Sequence, residues 1–223
     1  MKKWVRENRG FLIFLLLFGL FRTAIADWNP IPSGSMRPNL LEGDVVLVNR
    51  LAYALKLPLT DIILLRTGEP HRGEIATFSS PADGKRLIKR IVALPGDRVE
   101  MRGKQLIING EYADYDLLGE QTEPLGNGTS MPAVRLTERW HHDNPRTVQW
   151  LQDTARGADF GPVTVPDDQY LMLGDNRDNS ADSRYIGFVA RNLLIGRAER
   201  ILVSADILEN WHLRGERFGK ELE

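Results

Sequence analysis

From residue 44 onward the chain is written in short runs that repeat every two residues, and that period limits its fold more than any other feature. The runs are "DVVLVNR" (44 to 50), "EIATFSS" (74 to 80), "RLIKRIVAL" (86 to 94), "RVEMRG" (98 to 103), "QLIING" (105 to 110), "PVTV" (162 to 165), "YLMLGD" (170 to 175) and "AERILVS" (198 to 204). They are rich in β-branched residues and bounded by Gly, Pro, Asp or Asn. A helix with one buried face repeats every 3.6 residues, so these runs predict strands, and the fold class is mostly β, an antiparallel β-sheet domain. "RGK" between the fourth and fifth runs reads as a tight hairpin turn. Residues 111–161 break the pattern. They are polar, hold a His pair and two tryptophans in "RWHHDNPRTVQW", and read as a small inserted subdomain. "NGT" at 127 to 129 has the form of a glycosylation acceptor but is common by chance.

The N-terminus belongs to another physical class. "MKKWVRENRG" carries Lys2, Lys3, Arg6 and Arg9 against Glu7, and "FLIFLLLFGLF" (11 to 21) follows without a charge. That asymmetry predicts a single membrane span with its N-terminus in the cytoplasm and the remaining chain outside it. Trp4 and Trp28 bracket the segment; as continuous helix the 24 residues between them would rise roughly 36 Å at about 1.5 Å each, close to a bilayer with its interfaces. Ala24 and Ala26 have the spacing of a signal-cleavage site, but Arg22, placed to reach the headgroups, interrupts what such a signal keeps uncharged. The expected organisation is a cytoplasmic tail (1–10), a transmembrane anchor (11–27), a β-rich domain (28–110 and 162–210), the insertion (111–161) and a charged C-terminal tail (211–223). The formal net charge of −1 offers no basic excess for nucleic acid, and the lack of cysteine excludes disulfides, thiolate metal sites and a thiol nucleophile.

"IPSGSMRP" (31 to 38) sets two serines between two prolines just after the apolar run. A serine hydroxyl attacks only when a neighbouring base takes its proton. His71, His141, His142 and His212 all lie in polar or charged surroundings and read as surface residues. Lys89, by contrast, shares a strand face with Leu87, Ile91 and Ala93, while Ile88, Arg90, Val92 and Leu94 take the other. Burial on that face lowers an ammonium pKa toward the range of a working base; alternatively the side chain snorkels to water. A third stretch, "LMLGDNRDNSADSRYIGFV" (171 to 189), runs from a strand into a dense polar turn with Ser180, Asp175 and Asp182, for which Arg90, Arg177 and Arg184 are candidate partners. It is not a calcium loop: position 183 is Ser and position 189 is Val, where the glycine and distal acid would stand.

Taken together, "PSGSMRP", "IKRIVALPGD" and "GDNRDNSADSRYIGFV", in this order behind an N-terminal span, resemble the bacterial type I signal peptidases, the leader peptidases. The resemblance is strongest over 28 to 110 and 160 to 205. It implies a membrane-anchored serine endopeptidase of the bacterial inner membrane that removes signal peptides from exported preproteins, with preprotein signal peptides and membrane lipid as partners and no cofactor, metal or nucleic acid. Carried over residue by residue, it makes Ser35 the nucleophile and Lys89 the general base. Ser33 and the Ser35 backbone N–H form the oxyanion hole, Ser180 orients Lys89, and Arg90, Asp175, Asp182 and Arg184 support the loop. A substrate strand is expected to pair against Ile31 and Pro32. Asn39 and Leu87 depart from the family's usual Thr and aromatic residue, and Met36 reads equally as a membrane contact or as ordinary packing. Two rivals remain: a self-cleaving repressor-type Ser/Lys peptidase, which would carry a DNA-binding segment in place of the apolar run, and a membrane-tethered β-domain that only binds or assembles partners.

Overall fold

The computed structural model describes residues 2–57, 60, 62–124, 129–140, 144–152, 159–208 and 210–222. The "NGT" asparagine, His141 and His142 therefore lie outside the described residues. Helices α1 (Lys2–Glu7) and α2 (Arg9–Ala24) lead into β1 (Ala26–Pro30), β2 (Asp44–Asn49), β3 (Ala54–Lys56), β4 (Ile63–Arg66), β5 (Ile75–Ser79), β6 (Arg86–Ala93), β7 (Arg98–Arg102), β8 (Gln105–Ile108) and β9 (Glu111–Tyr112). Then come β10 (Asp114–Pro124), β11 (Ser130–Arg139), β12 (Arg146–Leu151), β13 (Phe160–Thr164), β14 (Gln169–Leu173), the single turn α3 (Ser183–Ile186), β15 (Val189–Ala190) and β16 (Leu194–Ser204). The main sheet runs β1-β2-β16-β5-β6-β14-β15, with every pairing antiparallel; smaller sheets are β13-β7-β8-β9, β10-β11-β12 and β3-β4.

The period-two runs became strands because alternate residues find a core. Along β2 the burial alternates strictly, with Val46 and Val48 fully buried. Val99, Met101, Leu106, Ile108, Trp140 and Trp150 form one apolar cluster; Phe78, Ile91 and Met172 form another. The β7–β8 turn turns on Gly103 and Lys104, with φ of +53° and +69°, the doubly left-handed geometry of a tight hairpin.

Three of the expected segments take a definite form here. Within the expected anchor, 11–27, helix α2 stops at Ala24, spanning about 24 Å at 1.5 Å per residue, and among the described residues no helix is long and apolar enough to cross a membrane. The cause is local: the Arg50 N–H donates to Ile25 O at 2.9 Å and Ala26 registers opposite Asn49, so β2 claims the backbone. Trp28 is consequently not a far-end marker. It folds back beside α2, its ring 6.0 Å from Phe18 and under the Arg22 guanidinium at 4.2 Å. Arg22 also pairs with the buried Asp27 at 3.0 Å, which Arg86 engages at 3.0 Å as well. Second, the charged C-terminal stretch is tied to the sheet: Ile201 N–H donates to Lys220 O, Leu222 N–H donates to Glu199 O, and Arg217 pairs with Asp44 at 2.6 Å. Third, the insertion carries a sheet of its own. Its β10 and β11 pair over their length and β12 joins them, while β13 pairs with β7.

The insertion is also bound to the rest by charge. Glu138 on β11, fully buried, accepts from both terminal nitrogens of Arg177 (2.7 and 2.6 Å), from Arg146 Nε (2.9 Å) and from Tyr115 Oη (2.6 Å). Burial opposes its ionisation, yet Arg177 and Arg146 hold the carboxyl at about 2 against an ordinary 4.5. Because this pKa is depressed, the stabilisation is full above about 4.5 and fades as pH falls toward 2. Glu138→Gln strands two buried guanidinium groups and is expected to cost about 3–5 kcal/mol at neutral pH, read from urea unfolding, with the gap to wild type narrowing at low pH.

Candidate active site

The three motifs meet although their sequence positions are far apart. Ser33 is extended (φ −144°, ψ 155°) and leads into a 3-10 turn, Gly34–Met36, that lifts Ser35. Lys89 lies on β6 opposite Ala76 of β5, 3% exposed, and its Nζ donates to Ser35 Oγ at 2.5 Å. Burial pushes the Lys89 ammonium down to about 8, against the opposing field of Asp182 and Asp175. The snorkelling alternative for Lys89 is thereby excluded. A cleft of about 560 Å³ opens over the pair, lined by Pro32, Ser33, Leu87, Lys89, Asn179 and Ala181 among others.

Strand alternation sends the next residue, Arg90, away from this cleft. Arg90 grips Asp175 with two bonds, Nε to Oδ1 and Nη2 to Oδ2, each 2.8 Å, both side chains almost fully buried. Asp182 caps α3, accepts from Gly174 N–H at 3.0 Å and is clasped by Arg184 at 2.8 Å through two nitrogens. Of the three arginines considered as partners, Arg90 and Arg184 serve these carboxylates, and Arg177 serves Glu138 instead.

Other residues fall differently from expectation. Ser180 Oγ is buried without a hydrogen-bond partner, so the bond that would orient Lys89 is unmade here. Ile31 cannot present an edge: its N–H donates to Asp44 O, its carbonyl accepts from Gly43 N–H, and its side chain is in the core. Pro32 and Ser33 are the exposed members of that segment. Met36 is fully buried among Leu40, Val46 and Ile75, which decides for packing over membrane contact. His71 and His212 are exposed. Among the described residues no group of three or more His, Cys, Asp or Glu is placed to hold a metal ion.

A model of the family "Signal peptidase, peptidase S26" matches residues 1–203. The chain belongs to this family. Its activity is that of a serine endopeptidase. It is 34% identical over 212 residues to the signal peptidase I of Pseudomonas aeruginosa, covering 90% of this chain and 72% of the relative. With the signal peptidase I of Buchnera aphidicola it shares 33% identity over 248 residues, covering 94% and 78%. A crystal structure of a signal peptidase I from Enterococcus faecalis V583 aligns at 31% identity over 58% of this chain and 96% of that one, with a TM-score of 0.35.

Within this S26 peptidase, two residues of the site carry more than the motif reading assigned them. Asn39, noted only as a departure from the usual residue, donates through Nδ2 to Asp175 Oδ2 at 2.6 Å and to Thr147 O at 2.7 Å, so it joins the serine loop to the Arg90–Asp175 pair. Gly174 has no room for a side chain: a Cβ there would sit 2.3 Å from Ser180 Oγ and 2.5 Å from Ser35 O. In the sequence Asn39 is marked only by following the serine motif, and Gly174 only by lying inside the third stretch. Gly174→Ala must displace the Ser35 main chain, and it is expected to reduce peptide-bond cleavage by about 10²-fold or more while the protein stays folded by circular dichroism. Wild-type turnover in that variant would refute the close approach.

Proposed function

We propose that this chain is a membrane-anchored signal peptidase that removes N-terminal signal peptides from exported preproteins with a Ser35 nucleophile and a Lys89 general base. The observation that carries the reading is the buried Lys89 Nζ at 2.5 Å from Ser35 Oγ at the floor of an open cleft. Neutral Lys89 takes the Ser35 proton as Oγ attacks the scissile carbonyl. The Ser33 hydroxyl and the Ser35 backbone N–H hold the developing oxyanion, and the Lys89 ammonium then protonates the leaving amine. Water, deprotonated by Lys89 in turn, releases the acyl-enzyme. Ser180 Oγ accepts a hydrogen bond from Lys89 Nζ once its side chain turns toward it, while Arg90, Asp175, Asp182 and Arg184 keep the loop in place.

The anchor reading rests on α2, which buries none of its residues and leaves Phe11, Phe14, Leu16 and Leu17 uncovered. Backbone bonds from Asn8 N–H to Trp4 O and from Leu12 N–H to Asn8 O, both 3.0 Å, carry the helical ladder across from α1. The helical stretch from Lys2 to Ala24 thus rises about 34 Å at about 1.5 Å per residue, with the charged first turns at the headgroups and only the uncharged run 11–21 offered to the bilayer interior. On this reading residues 1–10 lie in the cytoplasm and the β-rich domain outside the bacterial inner membrane, beside the bilayer from which a signal peptide emerges. A tethered binding domain without catalysis would have no use for an ammonium held at about 8 beside a serine.

Two outcomes test the reading. Purified in detergent, the chain should shorten a preprotein with Ala-x-Ala before the cleaved bond and leave unprocessed one with Phe at either alanine. Ser35→Ala and Lys89→Met should each abolish cleavage, and the double variant should be no worse than either single, because the pair acts as one unit. Cleavage by either single variant overturns the assignment.

The pH dependence supplies the second. Lys89 works as a base only when neutral, so cleavage should rise with pH through about 8. Asp182 favours the ammonium; Asp182→Asn should therefore move this rise to lower pH. A kcat/KM profile flat across this range, or a move to higher pH in the variant, contradicts the base assignment.

A further inference from the structure

Two long-range contacts around the serine turn are not explained by the motifs. Glu123 lies at the end of β10, opposite Met131 of β11, in the stretch that reads from sequence as an insertion without legible function. Its carboxylate is 2% exposed, and its Oε1 accepts from Asn176 Nδ2 at 2.7 Å. The same Nδ2 donates to Gly34 O at 3.0 Å, and the Asn176 backbone N–H donates to Ser35 O at 3.1 Å. Arg37 closes the group, with Nη1 at 3.4 Å from Glu123 Oε2 and Nε at 2.8 Å from Glu42.

We infer that Glu123 is a positioning residue for the oxyanion hole, acting through Asn176 on the Gly34–Ser35 peptide. The inference rests on the proposed role of the Ser35 N–H as oxyanion donor. A trans peptide is planar, so its carbonyl and N–H point in opposite directions within one rigid unit. Whatever holds Gly34 O therefore aims the Ser35 N–H. The Arg37 N–H of the 3-10 turn donates to Gly34 O at 3.1 Å and Asn176 holds it from the side at 3.0 Å, but an amide side chain has two faces: its NH₂ attracts a carbonyl and its oxygen repels one. Gly34 O and the Glu123 carboxylate are both acceptors, so together they admit only the NH₂. Without the carboxylate, nothing among the described partners of Asn176 Nδ2 except Gly34 O itself opposes a flip that would push Gly34 O away. The β10–β11 ribbon thus reaches into the active site from 53 residues away along the chain, through one buried carboxylate.

The test uses the full chain in detergent with an Ala-x-Ala preprotein. Glu123→Ala is expected to lower kcat by about 10²-fold with KM changed by less than about two-fold, and to leave the pH midpoint near 8 unmoved, because the oxyanion peptide is disturbed and Lys89 is not. Glu123→Gln keeps one acceptor oxygen but turns its NH₂ to either Asn176 or Arg37, so it should recover only part of the loss, whereas Glu123→Asp, withdrawn by one methylene, should recover none. The Asp and Gln pair decides the matter by itself if the alanine variant does not fold. Wild-type kcat in Glu123→Ala or Glu123→Asp, a loss confined to KM, a shifted pH midpoint, or no recovery in Glu123→Gln overturns the positioning role. Ser35→Ala assayed alongside separates the two readings: activity there defeats the nucleophile assignment, while its loss together with an unimpaired Glu123→Ala defeats the positioning role alone.

Discussion

The bidentate ion pair between Arg90 and Asp175 is the contact through which the main sheet and the polar loop after β14 share one geometry. Arg90 follows Lys89 on the same strand, so a shift of β6 that loosened this pair would move the lysine by the same amount. Asn39 extends the join to the segment that carries Ser35, making Asp175 an acceptor for both the sheet and the serine loop. Desolvating two charges roughly cancels their attraction, so the pair is better understood as a geometric constraint than as a source of net stability.

Against that background Lys89 is the exception. Arg90, Arg184 and Arg177 each touch a carboxylate directly, and their charges are neutralised where they lie. Lys89 meets a serine hydroxyl, and Asp175 and Asp182 act on it only through space. Desolvation therefore outweighs the nearby negative charge and the ammonium falls to about 8. A carboxylate in direct contact would have kept this lysine protonated and useless as a base. The arrangement thus withholds a partner from one cation while supplying partners to its neighbours.

The segment 111–161 takes part in both networks. Its Glu138 neutralises Arg177 and Arg146, and its Glu123 meets Asn176 and Arg37. A ribbon that looks dispensable by composition is thereby welded to the motif residues by buried carboxylates, which are costly to leave unpaired and so hold it in one position. Exposed positions dominate β10 on both faces, and this is why the ribbon shows no hydrophobic alternation to read.

The sheet-forming runs, the β7–β8 hairpin and the three motifs are legible without a structure, because each depends on short-range rules: alternation along a strand, positive φ at a Gly turn, prolines flanking a loop. For Lys89 the sequence left burial and snorkelling both open, since aliphatic strand neighbours fit either. Only the tertiary structure decided the rest. That α2 yields to a strand at Ala26 follows from β2 lying alongside, which no local pattern encodes. That Ile31 is spent on Asp44 and Gly43, that Met36 is core, and that Gly174 touches Ser35 are facts of packing between segments distant in sequence. Glu123 and Glu138 are, in sequence, two acids in a polar stretch; what separates them from their neighbours is burial against arginine and asparagine side chains that lie tens of residues away along the chain.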